Sequence, residues 1–210
     1  MFTGIVETTG RVVEVQKRES TSRLRFGAPT IAGDLGLGDS VAVDGACLTV
    51  TELSPDEFSV DVIGTTLDRT VAGMYGPGAR VNLERAARLN ARIDGHLVQG
   101  HVDGIGHLRR RVKSGEYWLL DFDIPTEILD LTVEHGSITL NGVSLTVSEL
   151  LPESGVRIGV IPYTYEHTNL GELEEGSPVN VEGDLIGKYV ARILSARGRD
   201  PAGKLHEGRA

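Results

Sequence analysis

The sequence contains the same pattern twice, and this duplication limits the chain to folds built from two similar halves. Ser40–Val50 and Ser137–Val147 share Ser, Gly, Leu, Thr and Val at a constant offset of 97 residues. Three further pairs match in the same order: Gly4–Glu7 with Gly100–Asp103, Phe58–Ile63 with Val156–Ile161, and Val81–Glu84 with Val179–Glu182. Four ordered matches at nearly constant spacing indicate a duplication of about 97 residues.

Each copy has the pattern of short β-strands joined by tight turns. Asp44-Gly45 in the first copy and Asn141-Gly142 in the second each separate two segments of alternating apolar residues. Asp-Gly and Asn-Gly at such places favour the type I′ turn of a hairpin. Further strands are predicted at Gly10–Val15, Ser22–Phe26, Phe58–Ile63 and Arg80–Leu83. Five or six antiparallel strands per copy, with 27 glycines among 210 residues to form turns, predict a small closed barrel in each half.

Helical patterns are few, and only one is strongly amphipathic. Short helices are predicted at Pro29–Asp34, Arg85–Ile93 and Thr126–Thr132. After Asp184, which suits a helix N-cap, the apolar residues at helical spacing are Leu185, Ile186, Tyr189, Val190, Ile193 and Leu194. This helix belongs to neither copy. Its apolar face can be buried on its own barrel or against another subunit, and the second interpretation is favoured because two compact barrels leave little shared groove.

Composition and charge exclude several classes of protein. The net charge is −9, and no long basic run offsets it, which argues against nucleic-acid binding. No apolar stretch approaches the roughly 20 residues of a transmembrane helix, and the amino terminus lacks the pattern of a signal peptide. The single cysteine, Cys47, cannot form an internal disulfide. We expect a soluble, cytoplasmic protein without membrane or nucleic-acid partners.

The positions at which the two copies differ are candidates for chemistry. Ile5 corresponds to His101, Cys47 corresponds to Ser144, and His96 has no counterpart because its equivalent would precede residue 1. His96 and His101 are five residues apart, unlike the i, i+4 pair of a helical zinc site, so we predict no metal. His101 could act as an acid or base near neutral pH, but a lone histidine is more often structural. The residues alone therefore predict a duplicated barrel that binds two similar ligands, without naming a reaction.

The motifs in their order resemble the riboflavin synthase family. The matching segments cover about residues 1–194 and are Met1–Glu7, Asp44–Val50, Gly95–Gly104, Gly142–Val147 and Val179–Asp184. The resemblance implies an all-β fold of two tandem six-stranded antiparallel Greek-key barrels with a carboxy-terminal helix, assembled as a homotrimer. It implies dismutation of two molecules of 6,7-dimethyl-8-ribityllumazine to riboflavin and 5-amino-6-ribitylamino-uracil, without cofactor or metal. The two substrates would meet between the amino-terminal barrel of one subunit and the carboxy-terminal barrel of its neighbour.

The resemblance also implies boundaries and an oligomeric role for the helix. The expected units are a lumazine-binding barrel at 1–96, a second at 97–183, an oligomerisation helix at 184–197 and a disordered tail at 198–210. An association with lumazine synthase stays open.

The resemblance implies which residues of this sequence form the site. Those implied for turnover are Phe2, Ser40, Cys47, His101, Ser144, Thr146 and Asp184. Those implied for the amino-terminal pocket are Gly4, Ile5, Val6, Cys47, Leu48, Thr49, Asp61, Val62, Ile63, Gly64, Thr65 and Thr66. Those implied for the other pocket are Gly100, His101, Val102, His135, Ser144, Leu145, Thr146, Ile161, Pro162, Tyr163, Thr164, Tyr165 and Glu166. His96 also matches the family, with a role that could be structural.

Three positions depart from the family pattern. His135 replaces a usual Lys, Thr65 replaces a usual Glu, and Tyr163 stands where His or Glu is common. A Lys is positively charged at neutral pH whereas a His is mostly neutral, so stabilisation of an anion near residue 135 would weaken. Two alternatives to an ordinary synthase therefore stay open: a paralogue that converts lumazines to another product, and a non-catalytic lumazine- or flavin-binding protein.

Overall fold

The computed structural model describes residues 1–197, and the tail expected at 198–210 lies outside them. The first half forms a closed antiparallel barrel, which we call the N barrel. Its strands are β1 (Thr8–Lys17), β2 (Thr21–Gly27), β3 (Ser40–Val43), β4 (Ala46–Leu53), β5 (Glu57–Ile63) and β6 (Arg80–Arg85). The four predicted strands of this half are confirmed, each extended by one or two residues at one or both ends.

The second half forms the C barrel, which repeats the N barrel strand for strand. Its strands are β7 (Gly104–Ser114), β8 (Tyr117–Asp123), β9 (Ser137–Leu140), β10 (Val143–Leu151), β11 (Gly155–Val160) and β12 (Pro178–Gly183). The order around the N barrel is β1-β2-β5-β4-β3-β6, and the C barrel has the equivalent order β7-β8-β11-β10-β9-β12. The duplicated barrel predicted from the repeats and the six strands per barrel implied by the family resemblance are therefore confirmed.

Each barrel is closed around its own apolar core. Along β2, Leu24 and Phe26 point inward and are fully buried, whereas Arg23 and Arg25 alternate with them on the outer face. Phe26 packs on Phe58 with ring centroids 5.2 Å apart. Full burial of such a side chain contributes about 1.5–3 kcal/mol. The strand alternation in the sequence thus decides which side chains fill the barrel and which remain available outside it.

The helices are short except for the last. They are α1 (Gly64–Arg69), α2 (Thr126–Leu129), α3 (Pro162–His167) and α4 (Leu185–Arg197), with 3₁₀ turns at Ala32–Asp34, Val71–Met74 and Asn169–Glu172. The Asp184 carboxylate accepts a hydrogen bond from the Ile186 N–H at 2.8 Å, which confirms the predicted N-cap of α4. No helix within residues 1–197 has the length and apolar character needed to cross a membrane.

The helix predicted at Arg85–Ile93 is wrong, and those predicted at Pro29–Asp34 and Thr126–Thr132 are shorter than expected. Arg85 ends β6, and the segment after it has no regular structure. The Ala86 N–H donates to the Ser40 carbonyl at 3.2 Å, and the Ala87 N–H donates to the Met1 carbonyl at 2.9 Å. Because these donors bond to distant chain segments, they are not available for the i−4 carbonyls of a helix.

The two barrels meet through their pseudo-equivalent hairpin turns. A Cβ atom at Gly45 would lie 2.7 Å from the Gly142 backbone nitrogen, so neither turn could approach the other with a side chain in that place. Asn82 Nδ2 donates to the Asn141 carbonyl, and its counterpart Asn180 Nδ2 donates to the Asp44 carbonyl, each at 2.8 Å. Reciprocal hydrogen bonds therefore relate the barrels by an approximate two-fold axis.

One buried carboxylate breaks the symmetry of this interface. Asp44 accepts hydrogen bonds from the Tyr75 hydroxyl at 2.6 Å, the Asn82 N–H at 2.7 Å and Asn169 Nδ2 at 2.9 Å. In the C barrel the corresponding turn residue is the neutral Asn141. Burial raises the pKa of Asp44 from 3.8 to about 7, while the three donors oppose that rise.

This carboxylate should make the free energy of unfolding depend on pH. Between about pH 4 and 7 the folded protein retains a proton on Asp44 that the unfolded chain has lost, so its contribution is full at low pH and falls as the pH rises to 7. Asp44→Asn should remove this fall. Urea titrations across this range should show the variant gaining stability relative to the native protein as pH rises. Asp56→Asn, at an exposed carboxylate, is the control, and parallel curves for Asp44→Asn and the native protein would contradict the expectation.

Candidate functional site

Two cavities lie at pseudo-equivalent places beside the barrels. The N pocket has a volume of about 240 Å³ and is lined by Ala46, Cys47, Thr65, Thr66, Arg69, Thr70, Gly100, His101 and Val102. The C pocket has a volume of about 380 Å³ and is lined by Gly4, Ile5, Val6, Glu7, Thr8, Thr9, Arg80, Val143, Ser144, Tyr163, Thr164, Glu166, His167 and Thr168. Each pocket combines the start of one hairpin strand, a short helix and a glycine-containing segment.

The glycine-containing segments are exchanged between the barrels. The Cys47 N–H of the N barrel donates to the Gly100 carbonyl at 2.9 Å, and the Ser144 N–H of the C barrel donates to the Gly4 carbonyl at 2.7 Å. The structure therefore places Gly100–Val102 beside Cys47 and Gly4–Val6 beside Ser144, the reverse of the grouping expected from the sequence. Each pocket is built from both halves of the chain.

Two buried glutamates explain the exchange. Glu84 accepts hydrogen bonds from the Thr3 and Gly4 N–H groups at 2.7 and 3.0 Å, and Glu182 accepts from the Gln99 and Gly100 N–H groups at 2.9 and 3.0 Å. One edge of each segment is thus fixed to its own barrel, and the opposite edge faces the other barrel. Burial raises the pKa of both glutamate carboxyls.

Positive backbone angles let these segments pass close to the opposite strand. Gly4 and Gly100 have φ values of +75° and +79°. A Cβ atom at Gly4 would lie 2.7 Å from the Ser144 Cβ, and one at Gly100 would lie 2.6 Å from the Cys47 Cβ. Glycine is therefore required twice, for the conformation and for the space.

The C pocket contains a serine paired with a histidine. The His96 Nδ1 atom lies 2.7 Å from the Ser144 Oγ, and its Nε2 atom lies 3.2 Å from the Thr139 hydroxyl. Burial lowers the pKa of His96, whereas the negative charge of Asp184 opposes that change. A neutral imidazole in this position can accept the Ser144 proton or hold the hydroxyl in one orientation. The sequence alone does not assign a role to His96, because its partner Ser144 lies 48 residues away along the chain.

The N pocket has no equivalent of this pair. Cys47 is half-buried and packs at the edge of a cluster formed by Phe2, Ala42 and Val98. His101 lines the pocket with an exposed side chain, and nothing within residues 1–197 hydrogen-bonds to its ring. The two pockets therefore share a frame but differ in their ionisable and nucleophilic groups.

The helices that line the two pockets also carry different side chains at corresponding positions. Thr65 on α1 corresponds to Tyr163 on α3, and Arg69 corresponds to His167. Tyr163 stacks on His167, with ring centroids 4.1 Å apart and an interplanar angle of 16°. The helix wall of the C pocket is thus aromatic, whereas that of the N pocket carries threonine hydroxyls and a guanidinium group.

Several residues expected at the site lie elsewhere among residues 1–197. Phe2, Leu48 and Val62 are buried in apolar clusters, because strand alternation turns Leu48 inward when Cys47 faces out. The others that line neither pocket are Ser40, Thr49, Asp61, Ile63, Gly64, His135, Leu145, Thr146, Ile161, Pro162, Tyr165 and Asp184. Asp61 is held by Arg23 in an ion pair at 2.9 Å, and His135 is exposed with a positive φ of 62°.

A third cavity is larger than either pocket but has a different character. It has a volume of about 750 Å³, contains the expected Ser40, and is lined mainly by charged residues and alanines of the segment after β6. The Arg85 guanidinium in this cavity forms ion pairs with the carboxylates of Glu7 at 2.6 Å and Asp34 at 2.8 Å. The lining of this cavity comes largely from the segment after β6 and not from a pair of related elements, so we assign the candidate site to the two related pockets. No group of three metal-binding side chains occurs in the described part of the chain.

The Asp184 charge should hold up the pKa of His96. Asp184→Asn keeps an N-cap for α4, because Asn and Asp cap helices about equally well, but removes the charge that stabilises the imidazolium. We expect the His96 pKa to fall further in the variant, measured from the imidazole C–H resonance in an NMR pH titration. The His101 resonance in the same spectra is the internal control. An unchanged His96 titration would show that the two groups are not coupled.

Comparison with known proteins places this geometry in a family. The model of the lumazine binding domain matches the chain twice, at residues 3–86 and 99–184. Riboflavin synthase of Mycobacterium tuberculosis (strain ATCC 25618 / H37Rv) is 44% identical over 201 residues, covering 94% of this chain and all of that protein. Riboflavin synthase of Bacillus subtilis (strain 168) is 41% identical over 194 residues, covering 92% of this chain and 90% of that protein.

Solved structures agree with the sequence relatives. LumP complexed with riboflavin has a TM-score of 0.81 at 27% identity, and LumP complexed with 6,7-dimethyl-8-(1'-D-ribityl) lumazine has a TM-score of 0.79 at the same identity. Each comparison covers 87% of this chain and 99% of LumP. The duplicated domain, the full-length relatives and the shared fold together show that the chain belongs to the riboflavin synthase family.

Proposed function

We propose that this protein catalyses the dismutation of two molecules of 6,7-dimethyl-8-ribityllumazine to riboflavin and 5-amino-6-ribitylamino-uracil. The observation that carries the proposal is the presence of two related pockets with different reactive groups in a chain of this family. A reaction between two copies of one molecule needs two similar sites that place the rings against each other. Such positioning can supply roughly 7–11 kcal/mol of the barrier.

The Ser144–His96 pair supports a proton-transfer role for the C pocket. The methyl group at C7 of the lumazine is acidic because its anion is delocalised into the ring, so a modest base suffices to remove a proton. Burial lowers the pKa of His96 and so favours its neutral form, which can accept a proton through the Ser144 hydroxyl. In the N pocket, Cys47 and His101 would contact the second ring without an equivalent relay.

The proposal includes a homotrimer whose subunits meet through α4. The apolar residues of this helix are exposed in the single chain: Ile186 by 64%, Tyr189 by 61%, Val190 by 50%, Ile193 by 52% and Leu194 by 61%. An exposed apolar stripe of this size favours burial against another copy. In such an assembly the N pocket of one subunit would face the C pocket of its neighbour. The cytoplasmic location expected from the sequence stays a prediction.

The three departures from the family pattern fall in different places. Thr65 and Tyr163 line the N and C pockets, so they bear on substrate contacts, whereas His135 lines neither. A second candidate is a protein that binds these ligands without converting them, since LumP, which has the same fold, is complexed with a lumazine and with riboflavin. The Ser144–His96 pair favours turnover.

Incubation of the purified protein with 6,7-dimethyl-8-ribityllumazine tests the proposal directly. We expect riboflavin and the pyrimidine in equal amounts, followed by absorbance and chromatography. Ser144→Ala should lower kcat by roughly 10²-fold, because the hydroxyl that meets His96 is lost. Ser148→Ala, on the same strand but outside both pockets, is the matched control. Another product would indicate the paralogue, and tight binding without consumption would indicate the binding protein.

Charge on the apolar stripe of α4 should disrupt the assembly. The native protein should have three times the chain mass of 22.5 kDa in light scattering. The double substitution Ile186→Glu with Ile193→Glu should reduce this mass, because it would place two carboxylates in an apolar contact. Ser195→Glu, on the opposite face of the helix, should leave the mass unaltered. An unaltered mass in the double variant would show that α4 does not form the subunit interface.

A further inference from the structure

The helix that lines each pocket is anchored to the opposite barrel. In the N barrel, Thr70 and Val71 follow α1, and the Val71 N–H donates to the Asn180 Oδ1 of the C barrel at 2.8 Å. In the C barrel, Thr168 and Asn169 follow α3, and the Asn169 N–H donates to the Asn82 Oδ1 of the N barrel at 2.7 Å. Both asparagines are almost fully buried, with 1% and 2% of Asn82 and Asn180 exposed.

A threonine connects each anchor to its pocket. The Thr70 hydroxyl donates to the Thr66 carbonyl at 2.7 Å and accepts from the Ala72 N–H at 3.2 Å. The Thr168 hydroxyl donates to the Thr164 carbonyl at 2.7 Å in the same way. Thr66 and Thr70 line the N pocket, and Thr164 and Thr168 line the C pocket. The path from anchor to pocket wall is therefore only a few covalent and hydrogen bonds long.

Close packing leaves these connections little freedom. A Cβ atom at Gly73 would clash with the Leu67 carbonyl of α1, and one at Gly171 would clash with the Tyr165 carbonyl of α3. The 3₁₀ turn after each helix is thus pressed against that helix. A shift of the turn at its anchor has to move the pocket helix as well.

The two asparagine side chains bond only to the other half of the chain. Asn180 also donates from Nδ2 to the Asp44 carbonyl, and Asn82 donates from Nδ2 to the Asn141 carbonyl and the Asn169 Oδ1, all at 2.8 Å. Within residues 1–197 neither side chain has a hydrogen bond to its own barrel.

We propose that each interface asparagine is a positioning residue for the pocket of the opposite barrel: Asn180 for the N pocket through Val71, and Asn82 for the C pocket through Asn169. The inference rests on the proposed function only in that both pockets take a lumazine or flavin ring. The two anchors are not equal, because the Asn169 side chain adds a bond to Asp44 where its counterpart Val71 has none. The C pocket is therefore held by more bonds than the N pocket.

The chain contains one natural reporter for each pocket. Its sole cysteine, Cys47, lines the N pocket, so the rate of its alkylation by iodoacetamide follows that pocket. Its sole tryptophan, Trp118, stacks on Tyr165 of α3, with ring centroids 4.4 Å apart, so its fluorescence follows the helix of the C pocket. Riboflavin is the probe in both titrations. It should protect Cys47 from alkylation and change the emission of Trp118.

The mirror-image variants Asn180→Ala and Asn82→Ala test the inference in the full-length protein. Asn180→Ala should raise the riboflavin concentration that protects Cys47 by about tenfold, since a buried N–H loses its acceptor, with little effect on the Trp118 titration. Asn82→Ala should weaken the Trp118 titration by at least as much and leave Cys47 protection nearly unchanged. Because both variants remove bonds across the same interface, a merely structural role would affect both pockets alike in each. Equal losses, or losses confined to the barrel that carries the substitution, would overturn the proposal.

Two additions keep the test decisive. If either alanine variant does not fold, Val71→Pro breaks the same anchor from the other side, because it removes the N–H donor and places its Cδ atom against Asn180 Oδ1. Thr70 already has the extended conformation, φ −130° and ψ 161°, that precedes proline. Val71→Pro should weaken Cys47 protection alone. If the native protein binds no riboflavin, the proposed function fails. The same crossed pattern in ligand-free alkylation rates and Trp118 emission would still support the positioning role, and its absence would refute it.

Discussion

The contact between the two glycine-containing turns sets the geometry on which the rest of the molecule depends. Gly45 and Gly142 meet so closely that a Cβ on either would strike the backbone of the other. Cys47 and Ser144 follow these turns by two residues, so the same contact brings each of them to the segment that comes from the other half. The pockets are consequences of how the barrels meet and do not belong to either barrel alone.

This arrangement explains why a duplicated chain suits a reaction between identical molecules. Both pockets are built on a shared frame of strand, short helix and glycine segment. The differences are confined to side chains on that frame, with Ser144, His96 and Tyr163 on one side and Cys47 and Thr65 on the other. One architecture can therefore hold two copies of a ligand while treating them differently.

Local patterns in the sequence predicted most of the fold, and the errors come from contacts between distant residues. Strand alternation, the two turn signals and the stripe after Asp184 located the strands and α4 correctly, because those features depend on neighbours in the sequence. The helix expected at Arg85–Ile93 failed because its donors bond to Ser40 and Met1.

The candidate site was predicted less well than the fold for the same reason. The exchange of Gly4 and Gly100 between pockets depends on hydrogen bonds that span 80 and 82 residues, and no local pattern encodes them. The partner of His96 was likewise hidden, although its lack of a counterpart in the first copy was a signal that the two pockets differ. The roles of individual residues in binding and turnover stay predictions.

The buried carboxylate at the barrel interface decides whether one half of the chain could replace the other. Asp44 accepts hydrogen bonds from Tyr75 and Asn169. The residues at the corresponding positions of the other copy are Asn141 for Asp44, Leu173 for Tyr75 and Val71 for Asn169. Two N barrels paired with each other would each place Asp44 opposite a valine and would lose a donor for a buried charge. The two halves are therefore not interchangeable at this interface. Two copies of the N barrel would not reproduce this interface, because Asp44 would lack the donor that Asn169 supplies.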